Sequence, residues 1–578
     1  MRVVNKGVVA DSARLSFIFN GQSYEALAGD SIASALVNVG AYALKKNSDG
    51  SARGVYCGMG VCNECELTVD GKEGELACMT SIKQNMVIET QNQFKKQPLE
   101  VDVGVAEENL SPDVLVIGGG PSGMTAASVL ARTGLDVLVI DERSALGGQY
   151  FKQPASTFTI NEKEIDKQFR IGRKLIANVE SSGVKIIRGT RIWAAFGANY
   201  FLASSPDRNW VITPQRTIIA TGAYEKSFAV PGWTLPGVMS TGAAQTLLRT
   251  YQVSLGQRVA ISGNGPLNIQ LAAELIQGGV QVVGIAESAK IFRIRNLFRG
   301  FGLLYFSPRL TITGLRYFLT IWKSRTPFKT GAVATSMAGN LAVETVTFSK
   351  ADKSGNIVKD SQRQYAVDAV ALGFGFNPSN EIARSLGCEH FFDEKTNSLI
   401  ARLDEDSRST VDEVWIVGDS SAVLGAQVAS ANGAIAAYSI LKELEILLSP
   451  LERSAQRRAQ QIRRRSSDFQ KILWRIFEPA VSTDQLASES TIICRCLSLT
   501  KSDICQDLQP DLKSAGSIKR LKRVGMGKCQ GRYCAAFAAQ SAAEISHEPL
   551  NEFSSFAPQV PFKPTPIGTI AYPNDEAK

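Results

Sequence analysis

Residues 113–142 read DVLVIGGGPSGMTAASVLARTGLDVLVIDE. An apolar run, a glycine turn, a stretch of small helix-forming residues and a second apolar run closed by two acids follow one another. This order predicts a buried strand, a helix and a second buried strand, the opening of a doubly wound α/β layer. The GxGxxG is Gly118, Gly120 and Gly123. Gly118 permits the tight turn, Gly120 lets backbone approach a pyrophosphate, and Gly123 allows close packing of helix on strand. The helix then offers its positive end to the phosphates. A GxGxxG by itself is weak evidence, but here the flanking strand, the helix and the acids Asp141 and Glu142 at the end of the next strand agree with it. Asp141 is the first candidate for the ribose hydroxyls and Glu142 the alternative.

Working outward, RVAISGNGPLNIQLAAELIQGGVQVVGIAE from Arg258 repeats the pattern with Gly263 and Gly265, while Asn268 stands where the third glycine would be. Glu287 ends its second strand where a carboxylate could accept from a ribose, and no arginine follows, so NAD or another adenine nucleotide is expected over NADP. The alternative is a dinucleotide-type unit kept for packing, with nothing bound. Two further segments complete the first unit: TIIATGAYE around Gly222, and VWIVGDSSAVLGAQVASANGAIAA around Gly418 and Asp419. With Gly147, Gly148 and Gln149, these resemble the recurring FAD contacts of flavoproteins with two dinucleotide domains, the thioredoxin reductase type. In that type the aspartate of the late GD turn touches the ribityl and pyrophosphate region.

Eight of the ten cysteines form two sets. RGVYCGMGVCNEC followed by LAC contains Cys57, Cys62, Cys65 and Cys78, the CxxxxCxxC…C order of a plant-type 2Fe-2S site. Near the other end come Cys494 and Cys496 in CRC, then Cys529 and Cys534 in KCQGRYC; a 2Fe-2S cluster is expected there, with zinc as the alternative. Cys388 and Cys505 are left over and read as buried small hydrophobes.

Around the first set, RLSFIFNGQSYEA is a hairpin about Asn20 and Gly21, GDSIASALVNVGA a helix with an acid at its start, and ECELTVDGKEGELACMT a hairpin through Asp70 and Gly71. That is the order of a small β-grasp domain. Residues 91–112, rich in Gln, Lys and Glu, read as a linker. The expected organisation is a 2Fe-2S domain at 1–100, a flavoprotein body at 111–448 with the second unit inserted at about 231–350, a basic helical linker at 449–490, a helical cluster domain at 491–547 and a proline-rich tail at 548–578.

At 578 residues the chain is long enough for several cores, and its net charge of +8 is modest. No apolar stretch of signal-peptide or membrane-spanning length occurs, so a reduced, cytoplasmic setting is expected, with a peripheral position on the inner face of the membrane as the variant. Residues 451–477 concentrate Arg453, Arg457, Arg458, Arg463, Arg464, Arg465, Lys471 and Arg475, with Leu451, Ala455, Ala459, Ile462, Phe469, Leu473, Ile476 and Phe477 as a broken apolar stripe. This predicts an amphipathic helix packed on its own protein, with a membrane surface or an acidic partner as the alternative use of its basic face. Nothing resembles a nucleic-acid module. The two histidines, His390 and His547, are expected at the surface or in loops, and no CxxC lies near the flavin segments, so a dithiol relay is excluded.

The segment ICRCLSLTKSDI with SIKRLKRVGMGKCQGRYC resembles the cluster domain of bacterioferritin-associated ferredoxins. Together with PGWTLPGVMSTGAAQ and the PFKPTPIGTIA tail, nearly the whole chain resembles the α subunits of bacterial opine oxidases, proline and hydroxyproline dehydrogenases and hydrogen cyanide synthase, with sarcosine oxidase α as a more distant relative. In many members the plant-type ferredoxin domain is a separate small subunit; here it is fused at the front. The chain ends without the folate-binding extension of sarcosine oxidase α, so demethylation coupled to tetrahydrofolate is not expected. The resemblance implies an FAD-dependent oxidoreductase that works beside an amino-acid-oxidase-like β subunit, which oxidises the substrate's C–N bond. It further implies an FMN shared at the contact surface, a downstream electron acceptor, and docking of the partner by the basic helix. Two other readings stay open: a self-sufficient NADH-dependent ferredoxin-type reductase, and a non-enzymatic cluster carrier or redox sensor.

Overall fold

The apolar runs of 113–142 become two strands of a parallel sheet because every residue of Val114–Ile117 and Val137–Asp141 is buried, the pattern of a layer covered on both faces. The computed structural model describes residues 1–47, 49–91, 107–352, 355–480, 486–509 and 514–571. This first sheet has five strands in the order Lys185–Arg188, Val137–Asp141, Val114–Ile117, Arg216–Ile219, Val414–Ile416, all parallel. The TIIATG and VWIVGD segments therefore join the first unit, although Val414 lies far down the chain. The helices Pro121–Ala131 and Ala426–Glu443 pack on each other over this sheet. Contact is close because they meet through small residues: a Cβ on Gly433 would fall 2.1 Å from the Ser122 carbonyl oxygen.

The second unit repeats the architecture. Its five parallel strands run Val238–Ser240, Ala369–Gly373, Arg258–Gly263, Gln281–Glu287, Phe328–Thr330. At the amino end, Arg14–Phe19 and Gln22–Leu27 pair about Asn20 and Gly21, both at positive φ as such a two-residue turn requires. A five-stranded mixed sheet forms in the order Gln22–Leu27, Arg14–Phe19, Met86–Thr90, Glu66–Val69, Lys72–Leu76, against the helix Ile32–Asn38. That helix is capped by Ser31, whose hydroxyl accepts from the Ser34 N–H. The expected acid, Asp30, lies one residue ahead of the cap and pairs with Arg2.

Most of the expected linker, residues 92–106, lies outside the described residues. Its end is not a loop: Glu107–Leu110 is a strand beside Asn209–Ile212 in a four-stranded sheet. The first ten residues also cross to the body, where Val8–Val9 pairs with Thr159–Ile160 and the Val3 N–H donates to the Gln252 carbonyl.

The basic helix spans Pro450–Ile476 and starts with a capping box between Ser449 and Glu452. Ala459 and Phe469 are buried as expected, but Leu451, at the far end of the expected stripe, is exposed. No helix among the described residues is long and apolar enough to cross a membrane.

Candidate functional site

Gly118 adopts a φ of 113°, and a Cβ there would stand 2.3 Å from the Ala220 carbonyl oxygen; a Cβ on Gly123 would fall 1.9 Å from the Gly118 carbonyl oxygen. Both positions exclude any larger residue. Gly120 differs, because a Cβ there meets nothing nearer than the Gly148 Cα at 4.0 Å. It faces a cavity of about 2190 Å³, well above the ~300–1,000 Å³ usual for a small-molecule site. Gly118, Gly120, Asp141, Glu142, Gly148, Gln149, Gly222 and Asp419 line it, while Gly123 and Gly418 stand behind the wall as packing positions. The donor set and the open face of Gly120 fit a dinucleotide laid along the helix start.

The two acids are held differently. One oxygen of Asp141 accepts from the Gly119 N–H at 2.6 Å and the other from the Arg143 N–H at 2.8 Å, so this carboxylate closes the glycine turn. Burial pushes it above the ordinary carboxylate range. Glu142 pairs with Lys563 of the carboxy-terminal tail; burial pushes it up, but Lys563 outweighs this and holds it low, charged at the cavity wall. Asp419 accepts from the Leu424 and Gly425 N–H groups, and burial raises it.

The second unit is closed differently. Gly263 and Gly265 have positive φ, and Glu287 accepts from the Gly265 and Ala289 N–H groups at 3.0 and 2.9 Å, the same use Asp141 has in the first unit. Burial lifts Glu287 to about 8. Asn268, in place of the third glycine, donates to the Gly373 carbonyl at 2.8 Å and accepts from Thr241 at 2.7 Å. Trp474 of the basic helix stands 3.4 Å from where a Gly265 Cβ would be, and Asn264 donates to the Phe477 carbonyl at 2.9 Å. The chain's own helix thus covers this turn, and Gly263, Gly265 and Glu287 are not among the lining residues of the cavity.

The cysteines pair two by two. Cys62 neighbours Cys57 and Cys65 neighbours Cys78; at the other end Cys534 neighbours Cys494 and Cys496 neighbours Cys529. The nearby Cys534, against burial, brings Cys494 down to about 6. Backbone N–H groups of Met59 and Cys62 point at the Cys57 sulfur at 3.5 and 3.4 Å. Among the described residues no three or more Cys, His, Asp or Glu converge on one metal position. Two pairs per set fit a rhombic 2Fe-2S cluster, in which each iron takes two thiolates; a mononuclear tetrahedral site would gather all four. Cys388 is buried, as expected, and Cys505 half-buried.

The two loops meet. Arg495, between Cys494 and Cys496, sets its guanidinium 4.1 Å from the Tyr56 ring centroid and 4.6 Å from that of Trp233. It pairs with Glu64, between Cys62 and Cys65, at 3.3 Å and donates to the Trp233 carbonyl at 2.9 Å. Lys528 reaches Glu66 at 2.6 Å across the same seam. Tyr533, beside Cys534, lies edge-on to Tyr56, beside Cys57, with centroids 5.6 Å apart, and 6.2 Å from Tyr224. Both loops also reach the cavity: Met59 and Val61 from the first and Arg532 from the second are in its wall, with Tyr224.

Sequence reasoning missed several of these residues. Glu64 and Arg495 carry opposite charges inside the two cysteine motifs, a signal that was legible, though their pairing was not. Lys152 and Glu225, buried at the cavity and not singled out in the sequence, are driven by burial downward and upward respectively. His547 is exposed as expected, but His390 is buried in a strand, hydrogen-bonded through Nδ1 to the Cys388 carbonyl at 2.8 Å. Its place between apolar neighbours follows from strand alternation in HFFD, where the first residue faces inward.

Three segments of the chain match known protein families. Residues 12–93 match the 2Fe-2S iron-sulfur cluster binding domain family, residues 112–301 the pyridine nucleotide-disulphide oxidoreductase family, and residues 489–573 the sarcosine oxidase A3 domain. Hydrogen cyanide synthase subunit HcnB of Pseudomonas aeruginosa is 27% identical over 81% of this chain and 100% of its own length. A subunit of the opine oxidase of Rhizobium meliloti is 27% identical over 79% of this chain and 87% of its own length. The alpha subunit of sarcosine oxidase from Rhizobium meliloti is 23% identical over 78% of this chain and 48% of its own length. Among solved structures, L-proline dehydrogenase from P. horikoshii superimposes with a TM-score of 0.71 at 22% identity, covering 97% of this chain and 98% of that one. The chain is an α/β flavin oxidoreductase with an N-terminal 2Fe-2S domain, homologous to subunits of opine oxidase, hydrogen cyanide synthase and sarcosine oxidase.

Proposed function

We propose that this chain is the electron-transferring subunit of a flavin-dependent dehydrogenase for a secondary amine or imino acid, holding FAD in the first dinucleotide unit and a 2Fe-2S cluster in each cysteine set. One observation carries the reading: both cysteine loops contribute wall residues, Met59, Val61 and Arg532, to the cavity that begins at Gly118 and Gly120. When bound there, a flavin accepts an electron pair and releases it singly, and each 2Fe-2S cluster takes one electron.

The chain's own residues arrange the rest. The helix start at Gly120 and Pro121 orients the pyrophosphate, Glu142 is held charged by Lys563 for the ribose, and Asp419 sits at the late turn. Cys57, Cys62, Cys65 and Cys78 would hold one cluster, and Cys494, Cys496, Cys529 and Cys534 the other. Glu64 and Arg495 keep the two loops in register, and the rings of Tyr56, Tyr533 and Tyr224 fill the space between loops and cavity. On this reading C–N oxidation belongs to a companion oxidase subunit, as the subunit names of the relatives suggest.

The NADH-dependent alternative loses support from Trp474 and Phe477, which cover the second glycine turn. The test is anaerobic mixing of the flavin-loaded chain with NADH. The flavin should keep its oxidised absorbance, and should bleach when proline, hydroxyproline or an opine is added together with the companion oxidase-like subunit. Rapid bleaching by NADH alone would overturn the reading.

A further inference from the structure

Ile294–Phe306 and Pro308–Lys323 form a helical hairpin beside the second unit. A surface helix ordinarily turns its apolar stripe inward. Here both helices carry one outward. In the first, Ile294, Leu297, Phe298, Phe301, Leu304 and Tyr305 recur at helical spacing and are exposed, Phe298 by 70%, Phe301 by 67% and Tyr305 by 72%. In the second the same holds for Ile312, Leu315, Leu319 and Trp322, the last exposed by 75%. Inward contacts are made by other positions: Leu303 and Ile321 are buried, and Gly302 lies against Ile472 of the basic helix. An outward apolar area of this size marks an interaction surface.

Charge indicates what covers it. Between Glu287 and Glu344 the sequence has no acidic residue, and nine lysines and arginines lie from Lys290 to Lys329. Arg293, Arg295, Arg309, Arg316, Lys323 and Arg325 are exposed around the apolar stripes. The basic helix is bound to the hairpin, with Arg299 donating to the Arg475 carbonyl at 2.8 Å and Arg465 to that of Tyr305 at 3.4 Å. It adds exposed Arg453, Arg457, Arg458 and Arg464 nearby. A ring of cations around Phe, Leu, Tyr and Trp is the composition of a helix lying in a bilayer interface rather than of one crossing it. The lengths agree: 13 and 16 residues make about 20 and 24 Å of helix, short of a ~30 Å hydrocarbon core.

We propose that this hairpin is a monotopic docking surface for an anionic phospholipid bilayer, its two apolar stripes immersed at the headgroup boundary and its arginines on the phosphates. The cavity lined by the first glycine turn is lined also by Leu303, Phe306 and Trp322 of this same hairpin. Docking in this way therefore sets part of the redox cavity's wall against the apolar phase, where a lipid-soluble electron acceptor would be found. The surface stands independently of the amine substrate proposed above.

The test is flotation of the full-length, flavin-loaded chain with vesicles of phosphatidylcholine alone and of phosphatidylcholine containing a third phosphatidylglycerol, at low and high salt. Binding is expected to the anionic vesicles at low salt, to weaken at least about tenfold at high salt, and to be lost in the triple variant Phe298→Ser, Phe301→Ser, Leu319→Ser, none of which lines the cavity. Those side chains are exposed, so the variant should keep the visible absorbance of its cofactors, which is recorded to establish that it has folded. Blue-shifted tryptophan emission on anionic vesicles, absent in Trp322→Phe, gives a second reading that needs no loss of apolar area. The proposal is overturned if the parent chain fails to float with anionic vesicles, or floats unchanged in the folded triple variant. It is equally overturned if the triple variant loses a co-purifying oxidase subunit that the parent retains while neither binds lipid, since the face then belongs to protein.

Discussion

Arg495 joins two loops whose residues stand 431 positions apart in the chain. It is buried among Tyr56, Trp233 and Glu64, and Glu64 is buried with it. Removing one partner of such a pair leaves the other charge uncompensated, so Arg495→Met should destabilise the chain by about 3 kcal/mol, and Glu64→Gln in addition should restore part of the loss. Denaturant unfolding of the single and double variants measures both, and equal losses in each would deny the coupling. Cys529→Ser should remove one of two reduced-cluster signals in electron paramagnetic resonance with flavin content kept; survival of both signals would break the ligand assignment. At His390, burial brings the imidazole from 6.5 to about 4. As pH falls below 6.5 the unfolded chain takes the proton first, so this residue costs stability progressively down to pH 4, on the order of 3 kcal/mol in all. Replacing it by Gln should make stability less steep in that window, and an unchanged slope in urea titrations would contradict the assignment. The cysteines were legible because a ligand set has a fixed spacing. The pairing of Glu64 with Arg495 was not, because the two come from loops far apart in the chain, and the burial of His390 was not, because it depends on tertiary packing around its strand.

At the level of elements, the two glycine turns share a sequence pattern and differ in use. In the first, the outcome of adding a single methyl depends on position: Gly123→Ala drives a Cβ into the Gly118 carbonyl and should destabilise by about 1–3 kcal/mol. Gly120→Ala meets open space at an ordinary φ of −79°, so it should change stability by less than about 0.5 kcal/mol while lowering bound FAD. Thermal unfolding with flavin extraction separates them, and equal FAD in Gly120→Ala and the parent would place the cofactor elsewhere. In the second turn, Trp474 and Phe477 come from a helix about two hundred residues downstream, which no local reading of GNGPLN could reveal. Periodicity found that helix, but neither its capping serine nor the glycine turn it would cover. The strands, hairpins and glycine turns were readable because each is encoded in a few neighbouring residues; Glu107–Leu110 was missed because its pairing with Asn209–Ile212 is its whole identity as a strand.

For the whole molecule, the arrangement is a cavity shared by a dinucleotide turn and two cysteine loops, with the tail closing one side through Lys563 and Arg532 held by Glu381 at 2.9 Å. The fused front domain is what brings Glu64 to Arg495, and separating it at the linker should expose that buried seam. The central claim is that both cysteine sets hold clusters beside one flavin. Its most direct measurement is the cofactor content of the anaerobically purified full-length chain, with electron paramagnetic resonance after reduction. Four irons and four labile sulfides are expected for each FAD, with two reduced 2Fe-2S signals broadened by their mutual proximity. Two irons with a zinc at the carboxy-terminal set, or a single unbroadened signal, would contradict it.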